Sequence, residues 1–170
     1  MPILATPITF AFKLFRLVAF TCTFVALLAA FRSGKSIYIH RCSSRAMHVG
    51  FGQGSHGKLI SFFVIYGHSG ANGSTKKAAA TSAILKACII EAMIFPEVPK
   101  FLLGDRNGDW ATFPELATFR DTMGWTDLNA VADQWGQQPD APTCITAQAN
   151  EATVRDMVLA CPIAFPWVTN

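Results

Sequence analysis

Apolar residues fall in blocks along this chain, and the blocks differ in period. "SIYIH" (36–40) and "RAMHVGF" (45–51) flank the polar "RCSS", a pattern that predicts two short strands. "GQGSHG" (52–57) has the composition of a turn. In the next block Ile60 and Phe62 to Tyr66 are all β-branched or aromatic, which predicts a strand buried on both faces. "SGANGST" (69–75) is a loop, and "KKAAATSAILKACIIEAMIF" (76–95) is rich in helix formers. Its spacing turns Ala80, Ile84, Ala87 or Cys88, and Ile94 inward and Glu91 outward, as in a helix lying on a sheet. "PEVP" stops that helix, and "KFLLGD" (100–105) begins a further strand. Residues 58–105 therefore read strand, helix, strand, the order of a crossover unit or of a layered α/β fold with a mixed sheet.

Farther along, "FPELATFRDTMGW" predicts a short helix with Pro114 in its first turn and Gly124 at its end. "TDLNAVADQWG" predicts a second short helix, capped by Thr126 or Asp127. "QQPDAPT" is a surface loop, and "TCITAQANEATVRDMVLACP" reads as two short strands around a polar centre.

The first thirty-one residues differ from the rest. "ITFAFKLFRLVAFTCTFVALLAAF" (8–31) is nearly all apolar, interrupted by Lys13 and Arg16. The uncharged stretch Leu17 to Phe31 has 15 residues, short of the roughly 20 that a membrane span needs. It suits the apolar core of a signal peptide or a shallow membrane contact with Lys13 and Arg16 snorkelling, and a buried helix is the plain alternative. The first two readings would place the protein outside the cell or at a membrane, the third leaves its location open, and the chain divides into 1–31 and 32–170. The 170 residues suffice for one domain with a core, and 51% apolar against 15% charged residues excludes a disordered chain. A net charge of +3 is too slight to imply nucleic acid by itself. Five scattered cysteines with no CxxC pair read as buried thiols, not as a zinc site or a disulfide framework. His40 and His48 read as ordinary strand residues, and "GKS" (34–36) lacks the earlier glycine of a phosphate-binding loop, with Ala29 in its place.

Candidate chemistry gathers where "KFLLGD" ends. Asp105, Asn107 and Asp109 stand two residues apart, just past an apolar run. A carboxylate there can ligate Mg²⁺ or take a proton from water, and an amide can hold a phosphoryl oxygen without adding negative charge. Phosphate-ester hydrolysis wants that combination, because the attacked group is already anionic. The second carboxylate is Asp156 in "TVRDMVLA", charged yet entering an apolar strand. Plainer duties are a turn cap for Asp105, a solvated strand edge for Asp156 and a solvated loop for Asp109. A calcium loop starting at Asp105 would need glycine and glutamate where Trp110 and Leu116 stand.

The order "FFVIYGHSG", helix, "VPKFLLGDRN", and then "ATVRDMVL" resembles the endonuclease/exonuclease/phosphatase superfamily, with its "G-D-F-N" and "R-I-D" elements. The resemblance covers roughly residues 45–160. It implies a layered DNase I-like α/β sandwich, here incomplete, and a hydrolase of phosphodiesters or nucleic acid dependent on Mg²⁺ or Mn²⁺. By the same resemblance Asp105 orients or deprotonates the attacking water, and Asn107 contacts the scissile phosphate. Tyr66 lies beside the site, Asp156 joins Asp105 on the metal, and Thr143 resembles a threonine ahead of the "R-I-D" element. Arg155 is displaced by one position from the family's arginine, where this chain has Val154. Arg106 and Lys100 would add phosphate contacts, and Lys76 and Lys77 a basic edge.

Two departures open other readings. No glutamate precedes Glu91, where the family has an early metal-binding glutamate, and no histidine follows Asp156, where it has a closing one. Arg106 also replaces the phenylalanine of "G-D-F-N". The alternatives are a non-catalytic remnant of the fold, or a small α/β protein anchored at a membrane by residues 8–31.

Overall fold

A computed structural model describes residues 36–52, 60–94, 97–145 and 152–169. The segment 8–31, with every expectation placed on it, lies outside them. Strands β1 (Ser36–Ser43) and β2 (Ala46–Gly52) form an antiparallel hairpin about Ser44 and Arg45, as the run-and-break pattern predicts. β2 pairs antiparallel with β3 (Ile60–Tyr66). The helix α1 (Thr75–Ile94) then crosses over, and β4 (Lys100–Asp105) returns parallel to β3.

Past β4 come a helical turn at Trp110–Thr112 and the short helix α2 (Pro114–Ala117), which continues as a wider turn through Thr122. β5 (Thr126–Asp127), a two-stranded ribbon of β6 (Cys144–Ile145) and β7 (Ala152–Thr153), β8 (Asp156–Ala160) and α3 (Pro166–Thr169) follow. The main sheet has six strands in the order β1-β2-β3-β4-β8-β5. It is mixed: among the described residues only the β3–β4 pair is parallel. The α/β class is as expected.

Strand alternation separates two faces. Phe63, Ile65, Leu102, Met157 and Leu159 are buried in one cluster with Ile84, Leu85, Cys88 and Ala92 of α1. The buried positions Thr81, Ile84, Leu85, Cys88 and Ala92 follow helical spacing, so one stripe of α1 meets the sheet. The opposite face carries Phe62, stacked on Phe101 with ring centres 5.3 Å apart, then Val64 and Leu103, and ends at Tyr66 and Asp105. Cys88 and Cys161 are buried thiols outside any disulfide, as anticipated. His48 is a core strand residue, stacked on Phe63 and bonded to the Ser61 hydroxyl at 3.1 Å.

Two expectations of local structure are corrected. "TDLNAVADQWG" is not one helix. Thr126 and Asp127 pair with β8, Asp127 Oδ1 accepts the Asn129 N–H at 3.0 Å to close a turn, and only Ala132–Trp135 is helical. A sheet edge outcompetes local helix propensity there. Ile94 does not face the sheet but is 55% exposed at the end of α1, where the inward stripe has already ended at Ala92.

Candidate functional site

The site stands where β3 and β4 end and β8 begins. Tyr66 is the register partner of Asp105 across the parallel pair, and Asp156 is its partner across the antiparallel one. Register partners project to the same face, so Tyr66, Asp105 and Asp156 form one row across three strands. The Arg106 N–H donates to the Arg155 carbonyl at 3.0 Å. The adjoining pair, Asp105 with Asp156, is therefore the non-hydrogen-bonded kind, with Cα atoms roughly 4.5 Å apart and side chains close. The resemblance put the two carboxylates at one site; the ladder sets them opposite each other on adjacent strands.

The turn after β4 has tight backbone geometry. Gly104 has φ +143°, and a Cβ built there would lie 2.0 Å from the Ile65 carbonyl oxygen. A Cβ on Gly67 would lie 2.3 Å from the Arg106 carbonyl oxygen. Only glycine lets the two strand ends approach so closely. Asp105 Oδ1 accepts the Asn107 N–H at 2.8 Å, a side-chain-closed turn that holds Asn107 at φ +54°. Asn107 Nδ2 donates to the Gly67 carbonyl at 3.0 Å, and the Gly67 N–H returns a bond to the Asp105 carbonyl at 2.7 Å. Asp105 and Asn107 are each 6% exposed. Both thus build the turn, whatever else they do. The second hydrogen of Asn107 Nδ2 gives that amide a further donor beyond these bonds.

Tyr66, 46% exposed, carries the Arg45 guanidinium over its ring at 5.2 Å. Arg45 Nη1 also donates to the Gly67 carbonyl at 3.2 Å. On β8 the Thr143 hydroxyl accepts the N–H groups of both Arg155 and Asp156 at 3.0 Å, and Asn129 Nδ2 donates to the Asp156 carbonyl at 3.1 Å. Thr143 and Asn129 therefore fix the start of the strand that presents Asp156. Asn129 and Arg45 were not singled out from sequence; one lies in a segment expected to be helix and the other heads an expected strand, and only the sheet brings them near.

Other expected contributors fall elsewhere. Lys100 starts β4, about 16 Å along the strand from Asp105. It is buried on the α1 face, its Nζ on the Val98 carbonyl at 2.9 Å. Burial lowers its pKa, opposed by Cys161 and Glu97, and it is no phosphate contact at this site. Arg106, 5% exposed, is likewise no surface contact: Nε donates to the Gly108 carbonyl at 2.8 Å and Nη2 to the Val154 carbonyl at 2.7 Å. Arg155 Nε bonds Thr153 Oγ1 at 3.1 Å, along its own segment. Asp109 is an exposed loop residue in a reciprocal pair with Asn72, at 2.7 and 2.8 Å. Lys76 and Lys77 are exposed at the start of α1. The His68 side chain lines an open cleft of ≈ 320 Å³ with Ser44, Arg45, Ala80 and Ala83.

No family model and no curated protein matches the chain. The chain is similar to solved structures of endonuclease/exonuclease/phosphatase type. One is the human Nocturnin catalytic domain with bound sulfate, at 13% identity and TM-score 0.48, covering 69% of this chain and 41% of that one. Another is D. rerio TDP2 complexed with a single-strand DNA product, at 14% and 0.48, covering 74% and 52%. A third is an endonuclease/exonuclease/phosphatase family protein from Bacteroides thetaiotaomicron, at 14% and 0.42, covering 75% and 49%. The chain spans about half the length of these structures. The α/β fold rests on the strand order and register described above.

Proposed function

We propose that this chain is a divalent-metal-dependent phosphodiester hydrolase of endonuclease/exonuclease/phosphatase type. The observation that supports it most is the facing pair Asp105–Asp156 at a strand end, flanked by Asn107 and Tyr66. Two neighbouring carboxylates favour a cation or a shared proton between them. Mg²⁺ is commonly held by one or two carboxylates and keeps several waters, so Asp105 and Asp156 fit it, and Mn²⁺ with it. Bound there, the ion would supply positive charge to the phosphoryl oxygens.

The chain's own residues would do the rest. Asp105, held by the Asn107 N–H, orients the attacking water and accepts its proton. Asn107 offers its second amide hydrogen to a phosphoryl oxygen without adding charge. Tyr66, steadied by Arg45, walls the row on the β3 side. The substrate class is a phosphodiester, with single-stranded nucleic acid among the candidates, the product bound by the D. rerio protein.

The test is Mg²⁺-dependent cleavage of a chromogenic phosphodiester and of single-stranded DNA by the full chain and by Asp105→Ala. Loss of at least about 100-fold in rate, with the fold intact by circular dichroism, is expected. An Asp105→Ala protein that turns over at the full rate overturns the assignment.

One observation favours a second reading, a non-catalytic remnant. Among the described residues no group of three or more His, Cys, Asp or Glu side chains could hold a metal ion together. On that reading calorimetry with Mg²⁺ shows no binding and neither substrate is cut. The division into residues 1–31 and 32–170, with the first part a targeting or membrane-contact segment, is proposed alongside. Its check is whether a chain lacking 1–31 stays in solution where the full chain partitions to vesicles.

A further inference from the structure

We propose that Arg106 is a positioning residue: its buried guanidinium ties the Asp105–Asn107 turn to the Val154–Asp156 segment and so fixes the spacing of the two carboxylates. The inference rests on the functional reading above but concerns a residue on the other side of the sheet. Strand alternation sends Arg106 to the face opposite Asp105.

From that side Arg106 makes three ties. Its N–H bonds the Arg155 carbonyl at 3.0 Å, extending the β4–β8 ladder one step beyond Asp105 and Asp156. Its Nη2 bonds the Val154 carbonyl at 2.7 Å, two residues before Asp156. Its Nε bonds the Gly108 carbonyl at 2.8 Å, just after Asn107. The guanidinium plane also lies by Trp110, with Cζ 5.7 Å from the ring centre. One rigid fork thus reads the carbonyls of both segments that carry the candidate ligands. A lysine has one nitrogen at its tip and cannot reproduce the two donor nitrogens of the fork at their fixed separation.

The arrangement is costly enough to call for a reason. Nη1 is buried and has no hydrogen-bond acceptor among the described residues. An unsatisfied buried charged donor is retained only where its other contacts matter. The surrounding carboxylates Asp127, Asp109, Asp105 and Asp140 all favour its charge, against the burial that lowers its pKa. Arginine remains protonated throughout the range in which proteins fold. A residue facing solvent phosphates would not be built in this way; one bracing a turn against a strand would be.

The experiment compares the full chain, Arg106→Lys and, as a control of similar instability, Leu85→Ala in the remote stripe of α1. Metal-free amide exchange is measured at Arg155 and Asp156. Arg106→Lys is expected to speed exchange there about 10-fold or more beyond the control, as loss of one charge-assisted bond implies. Calorimetry with Mg²⁺ should show a 10- to 100-fold loss of affinity in Arg106→Lys, roughly the effect of removing a support behind a ligand, and none in Leu85→Ala. Exchange and affinity equal to the control overturn the proposal. If the wild-type chain binds no Mg²⁺, the hydrolase reading fails and the exchange result alone decides the role of Arg106. If Arg106→Lys does not fold, the wild-type Arg106 Nε–H decides it. A slowly exchanging side-chain signal supports the brace, and a rapidly exchanging one overturns it.

Discussion

Gly104 shows how a single position prepares the site. Its φ of +143° and the Ile65 carbonyl 2.0 Å from any Cβ allow no other residue without a shift of β4 against β3. Gly104→Ala should cost of order 1–3 kcal/mol from the conformation alone, more with the clash, measured by urea unfolding. Unchanged stability would mean the strand ends are looser than the register implies. Asp105 and Asn107 were legible as a chemical pair from their spacing. A turn cap was the plainer duty read for Asp105, and the bonds to the Asp105 carboxylate and the Gly67 carbonyl show how that turn closes around Asn107. Arg106 was misplaced by sequence reasoning for a plain reason. A basic residue beside a phosphate-like motif suggests a ligand contact, but the face it takes depends on where β4 ends.

At the scale of elements, the long periodic segments were readable and the short ones were not. β3, α1 and β4 emerged with their order because each is a run of strand or helix formers set off by turn residues and breakers. β5 has two residues, too few to announce anything; it exists because Thr126 and Asp127 find an edge on β8. The start of β8 depends likewise on a side chain outside it. The Thr143 hydroxyl takes two backbone N–H groups that β8 cannot satisfy by itself. Thr143→Ala should destabilise the chain by about 1–3 kcal/mol and speed amide exchange at Arg155 and Asp156. Thr143→Ser should restore both. Failure of serine to rescue would assign the effect to the methyl group, not to the hydroxyl.

Whole-molecule stability carries a pH signature from Asp127. Burial raises its pKa, while the Asn129 N–H and Arg106 pull it down and Asp140 pushes it up, with burial the largest effect. A carboxyl whose folded pKa lies above its unfolded one binds more protons in the native state. Its contribution is therefore complete below the unfolded value, about 3.9, and is lost as pH rises through the raised folded value. Asp127→Asn keeps an oxygen for the Asn129 N–H and removes the titration. The stability of Asp127→Asn minus that of the wild type should grow as pH rises from about 4. A difference independent of pH would show that burial does not govern this group.

The sequence by itself determined the α/β class, the strand–helix–strand unit of residues 60–105, the buried thiols of Cys88 and Cys161, and the residue types gathered after β4. These follow from local period and composition, which a chain carries before it folds. Tertiary structure decided that β8 inserts between β4 and β5 and so sets Asp156 opposite Asp105. It decided too that Arg106 lies beneath the pair, not beside a substrate. The physical reason is that strand pairing joins segments some fifty residues apart through backbone bonds, and backbone bonds leave no mark in the letters.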